Sequence, residues 1–255
     1  MNSDVARCFP KPKRRLTTLN DFPFADSANG KRIDKWIVLD GKNVKTWEWE
    51  HQYALAHLIP LLLCGEQSAQ LVFNQEINRL FNTKQDEVES NNQSVNQRMI
   101  ESLLAVEADE FRHDQALQLI LNDLPIIKNK CKIQRQAQHF YTRLGRGESR
   151  CQHFIKIATL DSCVTQVMHE FEHSFLGAEH PFARLCGLIK KDEAKHVYVA
   201  KHHAQALGAT PAMFKQAQRS VSRLLHQLLA TQAEHFNYLG VDLSKIFTIL
   251  EDKWR

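Results

Sequence analysis

The chain has 255 residues, 43% hydrophobic, 24% charged and 9% aromatic, an ordinary globular composition that excludes a disordered, collagenous or low-complexity protein. Nine Gly and seven Pro are few for a strand-and-turn architecture of this length, so a helical protein is expected. A net charge of +4 and a pI near 8.7 admit an acidic partner, such as a nucleic acid or an acidic carrier protein, without requiring one.

The first sixteen residues are basic with no apolar core behind them, which is not the pattern of a secretory signal. The longest apolar stretch, Ala54 to Cys64, is too short for a membrane span and contains His57 and Pro60. The six cysteines are scattered with no CxxC, so reduced thiols in a cytoplasmic protein are expected. Residues 1–34 read as a polar arm with a basic cluster at Lys11–Arg15. Trp36 to Val44, with β-rich residues around Asp40-Gly41, reads as a short hairpin that completes an N-terminal unit over 1–45.

From Trp47 onward the period is helical. One helix starts near Thr46, bends or restarts at Pro60, and runs to about Asn82 with Leu58, Leu62, Ala69, Phe73 and Ile77 on one stripe. Thr83–Asn96 reads as a polar loop. The next helix, 97–121, buries Met99, Leu103, Val106, Leu117 and Ile120, and a shorter helix follows over 132–143. A helix over 149–176 carries the seam Phe154, Ile157, Asp161, Val164, Met168, Phe171 and Phe175. Pro181 then opens a helix to about 206 with Phe182, Leu185, Cys186, Ile189 and Ala200 on one face. Thr210-Pro211 caps a helix reaching Tyr238, and a last one spans 242–254. Short connectors make successive helices antiparallel neighbours, so 60–82, 97–121, 149–176 and 182–206 form a four-helix bundle. It lies within a unit over 46–209, with 210–255 packed outside.

Acids and histidines stand inside the apolar seams. Four Glu-x-x-His pairs occur where the composition gives fewer than one by chance: Glu48/His51, Glu110/His113, Glu170/His173 and Glu193/His196. The three-residue spacing puts both side chains on one helix face, where they can share a metal ion. Only Glu110/His113 and Glu193/His196 continue the apolar stripe of their helices; the other two pairs read as solvated faces. An unpartnered buried carboxylate costs on the order of several kcal/mol, and a bound cation removes that cost.

A pair of ions also needs a carboxylate from each remaining helix. Glu66 lies on the Leu62/Ala69/Phe73 stripe at the height of Glu110, whereas Glu76 sits about 15 Å nearer the turn, so Glu66 is preferred. On the third helix, seam position favours Asp161, while the usual preference for Glu in such sites favours Glu170 or Glu172. Asp161 is chosen, with the other two left open.

The order carboxylate, Glu-x-x-His, carboxylate, Glu-x-x-His on four helices resembles the ferritin-like di-iron carboxylate superfamily, over roughly residues 58–206. The strings Glu107-Ala-Asp-Glu110-Phe-Arg-His113 and Asp192-Glu193-Ala-Lys-His196 look like its metal helices. The resemblance implies a ferritin-like bundle with additional N- and C-terminal helices, two iron ions (manganese being the alternative), and Glu110 and Glu193 bridging or flanking them. It also implies His113 and His196 each on one ion, and Glu66 and Asp161 as terminal carboxylates. A cage ferritin would be shorter, and a rubrerythrin-like protein would add a CxxC domain. Leu117 replaces the radical Tyr of the ribonucleotide reductase subunit, and Ile189 stands where the arylamine N-oxygenases place a seventh ligand.

What remains is an oxidase or oxygenase that takes O2 and an external electron donor and oxidises a small or carrier-bound substrate in an apolar pocket. Leu62, Phe73, Ile157, Met168 and Ile189 are candidates for its wall, each also readable as core. A homodimer is expected. The alternatives are a tRNA-modifying di-iron hydroxylase, suited by the mild basicity although the only dense basic runs, Lys11–Arg15 and Lys128–Arg135, read as solvated surface, and a metal-free helical interaction module. The module requires the seam acids to pair with Lys or Arg, and neither Glu110 nor Glu193 has such a seam neighbour.

Overall fold

The computed structural model describes residues 7–12, 27–86, 93–145 and 149–254. Every regular element among them is helical: α1 Ala28–Leu39, a 3-10 turn Val44–Thr46, α2 Trp49–Asp86, α3 Gln93–Asp123, α4 Lys130–Leu144, α5 Arg150–Glu172, α6 Pro181–Ala206, α7 Pro211–Ala230, α8 Ala233–Tyr238 and α9 Leu243–Lys253. The protein is all-α, as the composition leads one to expect.

Four long helices form the frame, and polar pairs fix their directions. Glu66 faces His113, Gln67 donates to Asp114 and Asn74 to Glu107, so α2 and α3 run antiparallel. Asp109 faces His196 while His113 faces Asp192 and Ser102 faces His203, so α3 and α6 run antiparallel as well. His153 against Glu76 and Lys190 against Glu172 close the square through α5. α4 packs on α2 and α7, α7 and α9 pack on α5, and α1 lies across α3 and α6.

Two apolar clusters fill this frame. One is built from Leu58, Leu62, Leu117, Met168, Phe171 and Ile189 with their neighbours, the other from Phe73, Ile77, Leu103, Val106, Phe154 and Ala200 with theirs. Each buried Leu, Ile or Phe contributes roughly 1.5–3 kcal/mol. Between the clusters lies a belt of buried polar residues at 66–70, 107–114, 159–161 and 192–196. Polar groups this buried need partners close by.

Several expectations are corrected. Trp36–Val44 is not a hairpin. Ser27 caps α1 by accepting from the Gly30 amide (2.9 Å), and Gly30, Ile33 and Trp36 form a buried three-residue stripe. Asp40-Gly41 is the helix end, with the Gly41 amide donating to the Trp36 carbonyl (3.0 Å). The local β preference of Trp-Ile-Val-Leu yields to that stripe and to the Trp36 indole, which donates to the Pro181 carbonyl (2.8 Å). Residues 28–34 are therefore helix rather than arm. α2 runs unbroken through Pro60, and α2 and α3 extend further toward each other than the polar loop over 83–96 allows. The helix expected to reach Tyr238 is broken after Ala230 into α7 and α8, and α5 ends at Glu172, four residues early.

Thiol chemistry is also corrected for one pair. Cys8 and Cys64 form a disulfide across 56 residues, while Cys131, Cys151, Cys163 and Cys186 are free. The Cys8 amide donates to Gln67 Oε1 (2.8 Å) and Gln138 donates to its carbonyl (2.7 Å), which seats Cys8 over α2. No described helix is long and apolar enough to cross a membrane. Part of the basic cluster at Lys11–Arg15 lies outside the described residues.

Candidate metal centre

The polar belt gathers all six side chains singled out in the sequence. Glu66 from α2, Glu110 and His113 from α3, and Glu193 from α6 bring one donor atom each within 4.8 Å of one another. Asp161 from α5 joins Glu193 and His196 from α6 in a second group of the same reach. Glu193 belongs to both, and Glu110 Oε1 stands 3.1 Å from His196 Nδ1, so two adjoining subsites share the middle carboxylates. All six are at most 6% exposed. Among the described residues none of the four carboxylates has a Lys or Arg partner, which is the pairing a metal-free interaction module requires.

Each imidazole is oriented from behind. His113 Nε2 donates to Asp192 Oδ2 (3.4 Å) and His196 Nε2 to Asp109 Oδ2 (3.5 Å). An ionised carboxylate only accepts, so Nε2 carries the proton and Nδ1 faces the centre. There His113 Nδ1 meets Glu66 Oε2 at 3.2 Å and Glu193 Oε1 at 3.6 Å. His196 Nδ1 sits among carboxylate oxygens without hydrogen-bond geometry to any of them, and Asp161 Oδ2 is likewise buried without a partner. Lone pairs converging on a common point need a proton or a cation between them.

Electrostatics describe the same demand. Burial first, then Glu193 and Glu66, push the Glu110 carboxyl far above the usual range; burial and Glu193 do the same to Asp161. Burial alone would lower the imidazoles, but Glu66, Asp192 and Glu110 outweigh it at His113, and Asp109, Glu110 and Glu193 at His196, so both rise. Without a metal ion, the four buried carboxylates can be balanced only by protons on themselves and on the two imidazoles. Four carboxylates against two divalent ions would balance.

Sequence reasoning missed the outer layer. Asp109 and Asp192 each precede the Glu of their motif, about 100° round the helix, so they turn from the centre toward the opposite helix. Both motifs read Asp-Glu-x-x-His, and that shared first residue was the available signal. Each Asp is held by a cation one turn on: Arg112 at 3.5 Å from Asp109 and Lys195 at 3.3 Å from Asp192, with Lys195 also reaching Asp109. α1 buttresses this layer, since Asn29 donates to Asp192 (2.8 Å) and Asp34 lies 3.3 Å from Arg112. Burial would raise Asp109 and Asp192, yet the imidazoles and Lys195 hold both below the usual carboxylate range.

The competing carboxylates have partners elsewhere. Glu76 is fully buried against Arg79, Arg150 and His153. Glu170 lies 3.2 Å from Lys245, and Glu172 is bound by Lys190. His169, Glu172 and His173 do form a third grouping of possible ligands, but at the surface and around that occupied carboxylate.

A cavity of about 750 Å³, mouth included, opens on the centre. Its floor carries Glu66, Glu110, Asp161 and Glu193, and its walls include Leu62, Phe73, Ile157 and Met168 from the expected set. Ile189 is not among them; it is buried in the apolar cluster beyond. Tyr141 of α4 enters the same cavity, and burial with the surrounding carboxylates raises its phenol pKa. A Cβ on Gly65 would stand 2.8 Å from that hydroxyl, so glycine beside Glu66 lets the ring approach α2. No family model, characterised protein or solved structure matches the chain.

Proposed function

We propose that this chain is a non-haem di-iron oxidase or oxygenase of ferritin-like type, using O2 and an external electron donor to oxidise an organic substrate. The observation that carries the reading is the buried set of four carboxylates and two Nδ1-facing imidazoles with no Lys or Arg partner among the described residues. The donor set fits the group: mixed carboxylate and imidazole ligation suits Fe(II) or Mn(II), and the partnerless Asp161 Oδ2 and His196 Nδ1 are atoms that a cation would engage. Glu66 and His113 would hold one ion, Asp161 and His196 the other, with Glu110 and Glu193 between them.

Bound iron supplies the electron-transfer chemistry with O2. The chain supplies the rest. Asp109 and Asp192 keep the Nε2 protons in place and so keep Nδ1 free to ligate, a role of outer partners at many histidine metal sites. The apolar wall of Leu62, Phe73, Ile157 and Met168 excludes water and receives an apolar part of the substrate. Tyr141, its phenol protonated, offers a hydrogen-bond donor in the same cavity.

Metal content per chain, on protein produced with added iron, tests the reading beside a Glu110→Ala/Glu193→Ala double variant. About two iron or manganese ions per chain, lost in the variant, are expected. A folded protein without transition metal in either form overturns it and leaves the interaction module.

A further inference from the structure

A stripe of basic side chains runs along α4 and the turn before it. Lys128, Lys132, Arg135, His139 and Arg143 recur at steps of three or four, all exposed, and all line the groove between α4 and α7. Like charges at this spacing repel, so the stripe does not stabilise the helix. Several cations elsewhere are neutralised: Lys190, Lys195, Lys245, Arg112 and Arg150 each sit on a carboxylate. Among the described residues Lys128, Lys132, Arg135 and Arg143 have none. On α7, Lys215, Arg219 and Arg223 repeat the pattern in an adjoining depression that shares Ser220 with the groove.

The groove is not wholly polar. Val221, Leu224 and Leu228 of α7 and Phe140 of α4 also line it. Leu144 and Lys156 belong both to the groove and to the cavity over the candidate metal centre. Lys156 donates to the Leu144 carbonyl (3.1 Å), which fixes its ammonium at that junction. A basic, partly apolar trough thus leads into an apolar chamber that ends at the carboxylates.

We propose that the α4–α7 groove seats the anionic head, carboxylate or phosphate, of a ligand whose apolar chain enters the inner cavity. That this ligand is the substrate rests on the oxidase reading; its binding does not. A nucleic acid fits the groove less well, because apolar walls offer nothing to a sugar-phosphate backbone and Phe140 is buried, with no exposed face for a base.

Calorimetric titration of the metal-free protein with dodecanoate, dodecyl phosphate and dodecan-1-ol, below their micellar concentrations, tests this. Both anions are expected to bind one per chain, with the alcohol at least about tenfold weaker. Arg135→Glu/Arg143→Glu should weaken the anions at least about tenfold and leave the alcohol unchanged, and Arg135→Ala/Arg143→Ala should act in the same direction with smaller size. A clear preference between the two anions separates a free acid from a phosphate-bearing carrier, both within the proposal. Equal affinity for the alcohol, or no response to charge reversal, overturns it. So does tight, salt-sensitive binding of a 20-nucleotide RNA by a protein that ignores all three amphiphiles. Two irons per chain without amphiphile binding sinks the groove alone; amphiphile binding without metal sinks the oxidase alone.

Discussion

Glu66 and Glu76 stand on the same helix, both almost wholly buried, and they are opposite kinds of site. Around Glu76 stand Arg79, Arg150 and His153, all able to carry positive charge. Burial alone would raise its carboxyl, and those neighbours instead hold it below the usual range. Around Glu66 stand Glu110, Glu193 and a histidine whose free nitrogen faces them. One carboxylate is matched by cationic side chains of the protein; the other meets only carboxylates and an imidazole, a setting that calls for a proton or a cation. A buried acid therefore becomes informative through its neighbours rather than its burial.

The comparison can be broken at the Glu76 end first. Glu76→Ala should destabilise the protein by about 3 kcal/mol, read from urea unfolding, and should leave metal uptake intact. The cost stays at the low end for a broken buried pair because Arg79 and Arg150 can turn to water, their side chains being 54% and 32% exposed. A loss of bound metal in this variant would show that the two sites are not independent.

The same end of the bundle has a pH dependence. Burial first, then His202 and Arg150, lower the His203 pKa to about 4. Its ring stacks on Phe154 and faces Ser102 Oγ at 3.0 Å. Between the unfolded value near 6.5 and about 4, the unfolded chain binds the proton and the folded chain does not. Stability should therefore fall as pH drops through that window, by roughly 2 kcal/mol from this residue, and be level above it. Unfolding midpoints of wild type and His203→Gln should converge as pH falls from 6.5 to 4, and parallel curves would refute the assignment.

At the Glu66 end the outer layer is the finer probe. Asp109→Asn or Asp192→Asn removes the acceptor that fixes one Nε2 proton, and metal affinity should fall tenfold to a hundredfold with little loss of fold. Competition with a chelator of known strength measures it. Unchanged affinity in both variants would mean that the cross-helix pairs only tie α3 to α6.

Much of this was legible because a heptad seam is a strict filter: an acid or a histidine on it points inward, so Glu66, Glu110, His113, Asp161, Glu193 and His196 could be named from spacing. Asp109 and Asp192 were not, because a residue one step off the seam faces the neighbouring helix, whose identity is a tertiary fact. α1 was misread because Trp-Ile-Val-Leu favours strand locally, while its partners Pro181 and Asp192 lie far along the chain. The Cys8–Cys64 pairing left no signal across 56 residues. The dense charge at Lys128–Arg135 was visible, but the groove needs α7 opposite it, about ninety residues on.

The smallest expected effect is the most discriminating. At Glu110, burial and the charges of Glu193 and Glu66 push the carboxyl well above the usual range, which favours its protonated form when no metal is bound. A protonated Glu and a Gln have nearly the same shape and charge, so Glu110→Gln should leave metal-free stability almost unchanged. Glu76→Gln replaces a carboxylate that is ionised and ion-paired, and should lower stability clearly. One conservative exchange, made at two buried glutamates of one bundle, thus yields two different results by urea unfolding of chelator-treated protein. If Glu110→Gln destabilises as much as Glu76→Gln, Glu110 is an ordinary paired carboxylate and the case for a cation at the centre loses its electrostatic basis.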